Sequence, residues 1–166
     1  MDKRNNLILI GMPGAGKSTI GVVAAKRLGY RFLDSDLLIQ EKYGKLLQEL
    51  ISLYGVEGFW KLEEEVNASI DVTDTVIATG GSVCYEEKAM EHLQNIGIVV
   101  YLKISYEALK ERLGHLNARG VTLREGQTLK SLYEERVPLY EKYAGVTVSC
   151  DGKQLREIAE EISSLL

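Results

Sequence analysis

The chain is poor in the residues that would mark several protein classes. Of its 166 residues only two are cysteines, Cys84 and Cys150, and two are histidines, His92 and His115. Neither pair has metal-ligand spacing and two cysteines build no disulfide framework, so a structural zinc site and a disulfide-stapled fold are set aside and two free, buried thiols are expected. Proline occurs only at positions 13 and 138, and no Pro/Ser-rich linker, low-complexity stretch or internal repeat divides the chain. No run of Lys or Arg stands out and the formal net charge is −4, unlike the basic footprint of a nucleic-acid-binding protein. No apolar stretch approaches the roughly 20 residues needed to cross a bilayer. Neither nucleic acid nor a membrane is therefore an expected partner. The first residues run directly into an apolar strand, which leaves no room for a signal peptide, and a monomer in a reducing cytoplasm is expected.

What is present is ordinary for a globular protein, with 45% hydrophobic and 27% charged residues. The length suits a single domain over 1–166 with a real core. Strand-like runs at 7–10, 31–34, 75–79, 98–102 and 146–149 alternate with helical patterns at 17–28, 36–43, 46–54, 56–70, 86–95, 106–113, 128–143 and 153–165. That alternation predicts an α/β fold, a five-stranded parallel sheet flanked by helices. The segment 114–126 has three glycines and no clean pattern, and the helical stretch 36–70 looks inserted between strands.

The clearest chemistry lies at Gly11-Met12-Pro13-Gly14-Ala15-Gly16-Lys17-Ser18, a G-x-x-x-x-G-K-S phosphate-binding loop between a strand and a helix. Glycines let backbone N–H groups converge on a phosphate, and the following helix N-terminus adds unsatisfied donors and partial positive charge. Gly14, Ala15, Gly16, Lys17, Ser18 and Thr19 are thus expected to hold ATP. Lys17 would reach the β- and γ-phosphates, and the Ser18 hydroxyl would join a Mg²⁺ shell.

In a doubly wound sheet, ligands gather beyond the carboxyl ends of the strands. The loop after the first strand, Asp34 and Asp36 after the second, and Gly80-Gly81-Ser82 after the third should therefore face one cleft. One of the two aspartates could hold a metal and the other accept or orient a hydroxyl proton, although Asp36 could equally cap the next helix. The 114–126 segment, carrying Arg119 and Arg124 and preceded by Arg112, has the composition of a phosphoryl-transfer lid. Arg136 has Glu134 and Glu135 as neighbours, but residues one and two apart on a helix do not face each other.

These pieces together resemble the shikimate kinase family of nucleoside monophosphate kinase-like P-loop NTPases. The resemblance is carried by the phosphate loop, by Phe32-Leu33-Asp34-Ser35-Asp36-Leu37-Leu38-Ile39, by Ile77-Ala78-Thr79-Gly80-Gly81, and by Glu135-Arg136-Val137-Pro138-Leu139-Tyr140. It implies transfer of the ATP γ-phosphate to the 3-hydroxyl of shikimate. Lys17, Asp36 and Arg119 would be catalytic, Ser18 and Asp34 would hold Mg²⁺, and Arg112 would lie near adenine. Asp36, Trp60, Gly80, Gly81, Ser82 and Arg136 would form the acceptor site, Arg136 gripping the substrate carboxylate. The region 36–70 would cover that acceptor and 114–126 would close over it.

The chain departs from the family pattern at the acceptor. Where the family runs G-E-x-x-F-R-x-x-E, this chain has Gly55-Val56-Glu57-Gly58-Phe59-Trp60-Lys61-Leu62-Glu63. Trp60 replaces an arginine that would share the carboxylate with Arg136, Ser82 replaces a third glycine, and the lid's R-P-L-L has become Arg119-Gly120-Val121-Thr122-Leu123. An indole cannot form the bidentate pair of a guanidinium with a carboxylate. With Asp36 and Glu63 retained, a substrate bearing an amine as well as a carboxylate, such as homoserine, is the alternative acceptor. A non-catalytic ATP-binding module is the remaining alternative. It needs neither a lid arginine nor an acceptor-site acid. A GTPase is set aside because the chain has neither a D-x-x-G nor an N/T-K-x-D segment.

Overall fold

A computed structural model describes residues 4–115 and 124–166. Five strands form one parallel sheet: β1 (Leu7–Ile10), β2 (Arg31–Asp34), β3 (Thr75–Ala78), β4 (Ile98–Lys103) and β5 (Val146–Ser149). Their order is β2-β3-β1-β4-β5. The chain starts at central β1, crosses to the edge at β2, comes back through β3 and then builds the other half with β4 and β5. The strand order therefore reverses beside β1, where a crevice opens at the carboxyl ends.

Both faces of the sheet are covered, which is why β1 reads as an unbroken apolar run rather than an alternating one. Leu7 and Leu9 pack with Val76, Val100 and Leu102 beneath α1 (Lys17–Leu28) and α7 (Leu155–Ser163). Ile8 and Ile10 face the other way, into a cluster with Ile77, Val99 and Tyr101 that α4 (Glu87–Ile96), α5 (Tyr106–His115) and α6 (Leu129–Tyr143) close. A third, smaller cluster of Ile39, Leu50, Phe59 and Val66 joins α2 (Ser35–Tyr43) to α3 (Leu47–Ala68). That satellite core packs the two helices of the 36–70 region against each other.

Several local expectations hold. Helix α1 stops at Gly29, whose φ of 70° lets its N–H return to the Ala25 carbonyl. The stretches 46–54 and 56–70 form one continuous assignment, α3, but Gly55 inside it has φ 72° and ψ 173°, so two helical pieces meet there as the sequence indicated. One element was not foreseen, a 3₁₀ turn over Gly81–Tyr85 between β3 and α4. Both cysteines are free and buried. Burial pushes the Cys84 thiol up to about 12 and that of Cys150 to about 11, leaving both as unreactive neutral thiols. Among the described residues no helix is long and apolar enough to cross a membrane.

Candidate active site

The phosphate loop joins the end of β1 to the start of α1, with Gly16 in the left-handed region at φ 94° as the residue that caps the helix. Gly14 likewise has φ 86°. Only glycine adopts such angles without strain, and together they turn the loop's amides inward. Lys17 is buried, and its Nζ donates to the carbonyls of Gly11 at 2.7 Å and Met12 at 3.0 Å. Desolvation is the main reason its ammonium falls to about 8; Asp36 opposes the shift and Arg136 adds to it. From outside the loop, Arg112 Nη1 donates to the carbonyls of Gly14 (3.2 Å) and Ala15 (3.4 Å), so this side chain braces the phosphate loop itself.

Asp34 ends β2 and caps α2: its Oδ1 accepts from the Asp36 amide at 2.9 Å. Its Oδ2 accepts from Ser18 Oγ at 3.1 Å. The capping role that was open for Asp36 thus belongs to Asp34, and the Asp36 carboxylate is left to the cleft. Ser18 and Asp34 put a hydroxyl and a carboxylate side by side, hard oxygen donors of the kind Mg²⁺ takes alongside nucleotide phosphates. Among the described residues no cluster of three His, Cys, Asp or Glu side chains could hold a metal alone. A single protein carboxylate plus phosphate oxygens fits that donor set.

Beside the loop lies a cavity of about 450 Å³, with Pro13, Asp36, Glu63, Gly80, Ser82 and Arg136 among its lining residues. Phe59 and Ile51 supply an apolar wall from α3. Its charges are arranged by backbone proximity at the Gly80-Gly81 turn. A Cβ on Gly80 would lie 2.6 Å from Glu63 Oε2 and 3.0 Å from Asp36 Oδ1, and one on Gly81 would lie 2.7 Å from Pro13 Cδ and 3.0 Å from Arg136 Nη1. The bare backbone of the two glycines thus leaves room for two acids, an arginine and the phosphate loop to converge. Ser82 Oγ donates to Glu63 Oε1 at 2.5 Å, which orients the buried acid.

Asp36 rises to about 6, chiefly through burial and then through the negative neighbours Glu63 and Asp34, with Lys17 pulling the other way. Behind Glu63, burial and Glu63 itself push the carboxyl of Glu86 far up, so it stays protonated. Arg136 is 2% exposed, on α6, and among the described residues no carboxylate forms a salt bridge with it. Its Nε donates to Tyr85 Oη at 3.4 Å. The neighbouring Glu135 pairs instead with Arg124, in line with the geometry of adjacent helical positions.

Most of the residues singled out in the sequence come together here: Lys17, Ser18, Asp34, Asp36, Gly80, Gly81, Ser82 and Arg136. Arg119 lies outside the described residues. Trp60 does not line the cavity. It follows Phe59 by one residue, roughly 100° around the helix, and stacks on Tyr85 with ring centroids 4.3 Å apart. Pro13 and Phe59 were not foreseen as cavity walls. Glu63, expected beside Asp36 in the acceptor pocket from the family pattern, does line the cavity, and its i, i+4 spacing from Phe59 places both on one face of α3.

The chain is also similar to known proteins over nearly its whole length. The shikimate kinase family model matches residues 13–166. A shikimate kinase of Francisella tularensis subsp. novicida is 38% identical over 170 aligned residues, covering 100% of this chain and 97% of the relative. The structure of Acinetobacter baumannii shikimate kinase in complex with shikimate superposes with a TM-score of 0.86 at 33% identity, covering 99% of this chain and 93% of that one. A gluconokinase from Sinorhizobium meliloti, 21% identical with a TM-score of 0.61 and covering 99% of this chain and 92% of its own, shares the fold.

Proposed function

The chain belongs to the shikimate kinase family of ATP-dependent kinases acting on a hydroxyl group, and on that premise we propose that it transfers the γ-phosphoryl group of ATP to shikimate. The observation that carries this reading is Arg136, a buried guanidinium on a cavity wall without a carboxylate of the chain to neutralise it among the described residues. A buried charge of this kind calls for a partner. The carboxylate of shikimate supplies it, and the remaining hydroxyls fall among Asp36, Glu63 and the Gly80-Gly81 turn.

The chemistry then follows from what the side chains can do. ATP lies along the phosphate loop with Lys17 against its β- and γ-phosphates. Ser18 and Asp34 would hold Mg²⁺, which when bound offsets phosphate charge. Asp36 orients the acceptor hydroxyl and takes its proton as the oxygen–phosphorus bond forms and the bond from the γ-phosphorus to the bridging oxygen of ADP breaks. A carboxylate near pKa 6 holds this proton better than an ordinary aspartate and still loses it at neutral pH. Lys17, and Arg119 on the strength of the family resemblance, stabilise charge on the transferring group.

A second reading rests on the cavity charges. Two acids, Asp36 and Glu63, face one arginine, and Trp60 stands off the wall. That balance would suit an amino-acid alcohol such as homoserine, its ammonium against the acids. ADP release measured with Mg-ATP and shikimate or homoserine in parallel separates the two. Turnover with shikimate at sub-millimolar concentration is the expected result. Turnover with homoserine alone would replace it by the second reading, and ATP binding without turnover on either acceptor would overturn both.

A further inference from the structure

The acceptor reading leaves one arginine to hold a carboxylate that the family pattern assigns to two. A lone guanidinium on a flexible stem carries about 2 kcal/mol of side-chain entropy, so its grip depends on being held in place beforehand. What holds it is visible behind the cavity. The Arg136 guanidinium carbon lies 5.3 Å from the centre of the Tyr85 ring, and its Nε reaches the Tyr85 hydroxyl. Tyr85 is itself fixed twice. Its hydroxyl donates to Glu135 Oε2 at 2.8 Å, and its ring stacks on Trp60 at an interplanar angle of 19°.

The remaining contacts close a ring. Arg124 Nη2 donates to both oxygens of Glu135, at 2.6 and 2.7 Å, while its guanidinium carbon sits 5.7 Å from the centre of the Trp60 ring. Gln127 Nε2 donates to the same carboxylate at 2.9 Å. Arg124 thus touches Glu135, Glu135 touches Tyr85, Tyr85 touches Trp60 and Trp60 returns to Arg124. None of the four lines the acceptor cavity. The ring draws on α3, the 3₁₀ turn, α6 and the segment just before α6, the elements that meet behind Arg136.

We propose that Tyr85, braced by Trp60 and by the Glu135–Arg124 pair, is a positioning residue that holds Arg136 ready for the acceptor carboxylate. The pairing has an electrostatic purpose as well as a steric one. Glu135 is adjacent to Arg136 in sequence, and the two side chains meet at the Tyr85 hydroxyl, which donates to the one and accepts from the other. Bound by Arg124, Gln127 and Tyr85, its carboxylate is drawn below the usual range and turned aside. The departures at this rim therefore act together: an indole stands where the family pattern has arginine, and it serves as the flat support for the tyrosine behind the arginine that remains.

This inference rests on Arg136 being the carboxylate anchor, and three variants separate the two claims. Tyr85→Phe keeps the stack and deletes only the hydroxyl; Arg124→Met frees Glu135; Arg136→Met removes the anchor. With shikimate, or homoserine if the parallel assay selects it, Y85F and R124M should each raise the acceptor KM about five- to tenfold, the upper part of the net range of an ordinary intramolecular hydrogen bond, as befits a contact of 3.4 Å. The ATP KM and kcat should stay within about twofold, and the double variant should cost less than the product of the singles because both break one ring. Trp60 is the only tryptophan, so acceptor titration should change its emission in the wild type and less in Y85F. An unchanged acceptor KM in Y85F with a raised one in R136M would overturn the positioning role alone. An unchanged acceptor KM in R136M would overturn the anchor itself. Equal rises in both KM values with a lower Tm would reduce the ring to ordinary packing.

Discussion

At the scale of single residues, Asp36 shows how function and stability pull apart. Its carboxyl is displaced from 3.8 to about 6, chiefly by burial and then by Glu63 and Asp34. The folded protein holds this proton more tightly than the unfolded chain. The stability it contributes is therefore full below pH 3.8 and lost as the pH rises through about 6. Two units correspond to no more than about 3 kcal/mol. Asp36→Asn, measured with a chelator present, should raise Tm by a few degrees at neutral pH and flatten the fall in stability between pH 4 and 6. The same variant should lower kcat about 10²- to 10⁴-fold. A wild-type Tm in the variant would show that Asp36 is not crowded by its neighbours. Asp36 could be picked from the sequence because it follows a strand end two residues after another acid. Its altered acidity could not, since both the burial that chiefly causes it and the approach of Glu63 from α3 arise from tertiary packing.

At the scale of elements, α3 owes its shape to one residue. Gly55 has φ 72° and ψ 173°, a combination that L-residues avoid, and nothing stands within 4 Å of where a Cβ would be. Any cost of substitution is therefore backbone strain, not collision. Gly55→Ala should lower stability by about 1–3 kcal/mol, read as a reduced midpoint in chemical denaturation. If the stability were unchanged, the two halves of α3 would be free to straighten. This break was readable, because a glycine between two helical patterns marks an interruption. The 3₁₀ turn was not. Nothing periodic distinguishes Gly81-Ser82-Val83-Cys84-Tyr85, and its conformation depends on partners elsewhere, such as Tyr140, whose hydroxyl donates to the Gly81 carbonyl at 2.6 Å.

At the scale of the whole molecule, the two ends of the sheet do different work. The carboxyl ends carry the cleft, while the opposite ends are joined by Asn6, which is fully buried. Its Nδ2 donates to the carbonyls of Val72 and Ile96, both at 2.9 Å, and its Oδ1 accepts from the Thr75 amide at 3.0 Å. One side chain thereby ties β1 to the chain entering β3 and leaving α4. Asn6→Leu would leave these groups without partners and should cost about 2–4 kcal/mol, lowering Tm while leaving both KM values near wild type in the fraction that stays folded. A loss of activity at unchanged Tm would contradict this. In the sequence, Asn6 looks like simple punctuation before a strand.

The sequence by itself determined the parts whose physics is local. A phosphate loop needs its glycines, lysine and serine within one turn of chain. A buried parallel strand needs a short apolar run, and a helix records its limits in glycine and polar caps. The α/β alternation and the roles expected of Lys17, Ser18 and the two aspartates followed from those rules. Tertiary structure alone decided which surfaces meet. The order of the strands brings Gly80 and Gly81 against Pro13, and so sets Glu63 beside Asp36 and Arg136 beside the phosphate loop. A single rotation of about 100° along α3 turned Phe59 into the cavity and Trp60 onto Tyr85. Contacts of that kind depend on the packing of helices far apart in the chain, and no local spacing encodes them.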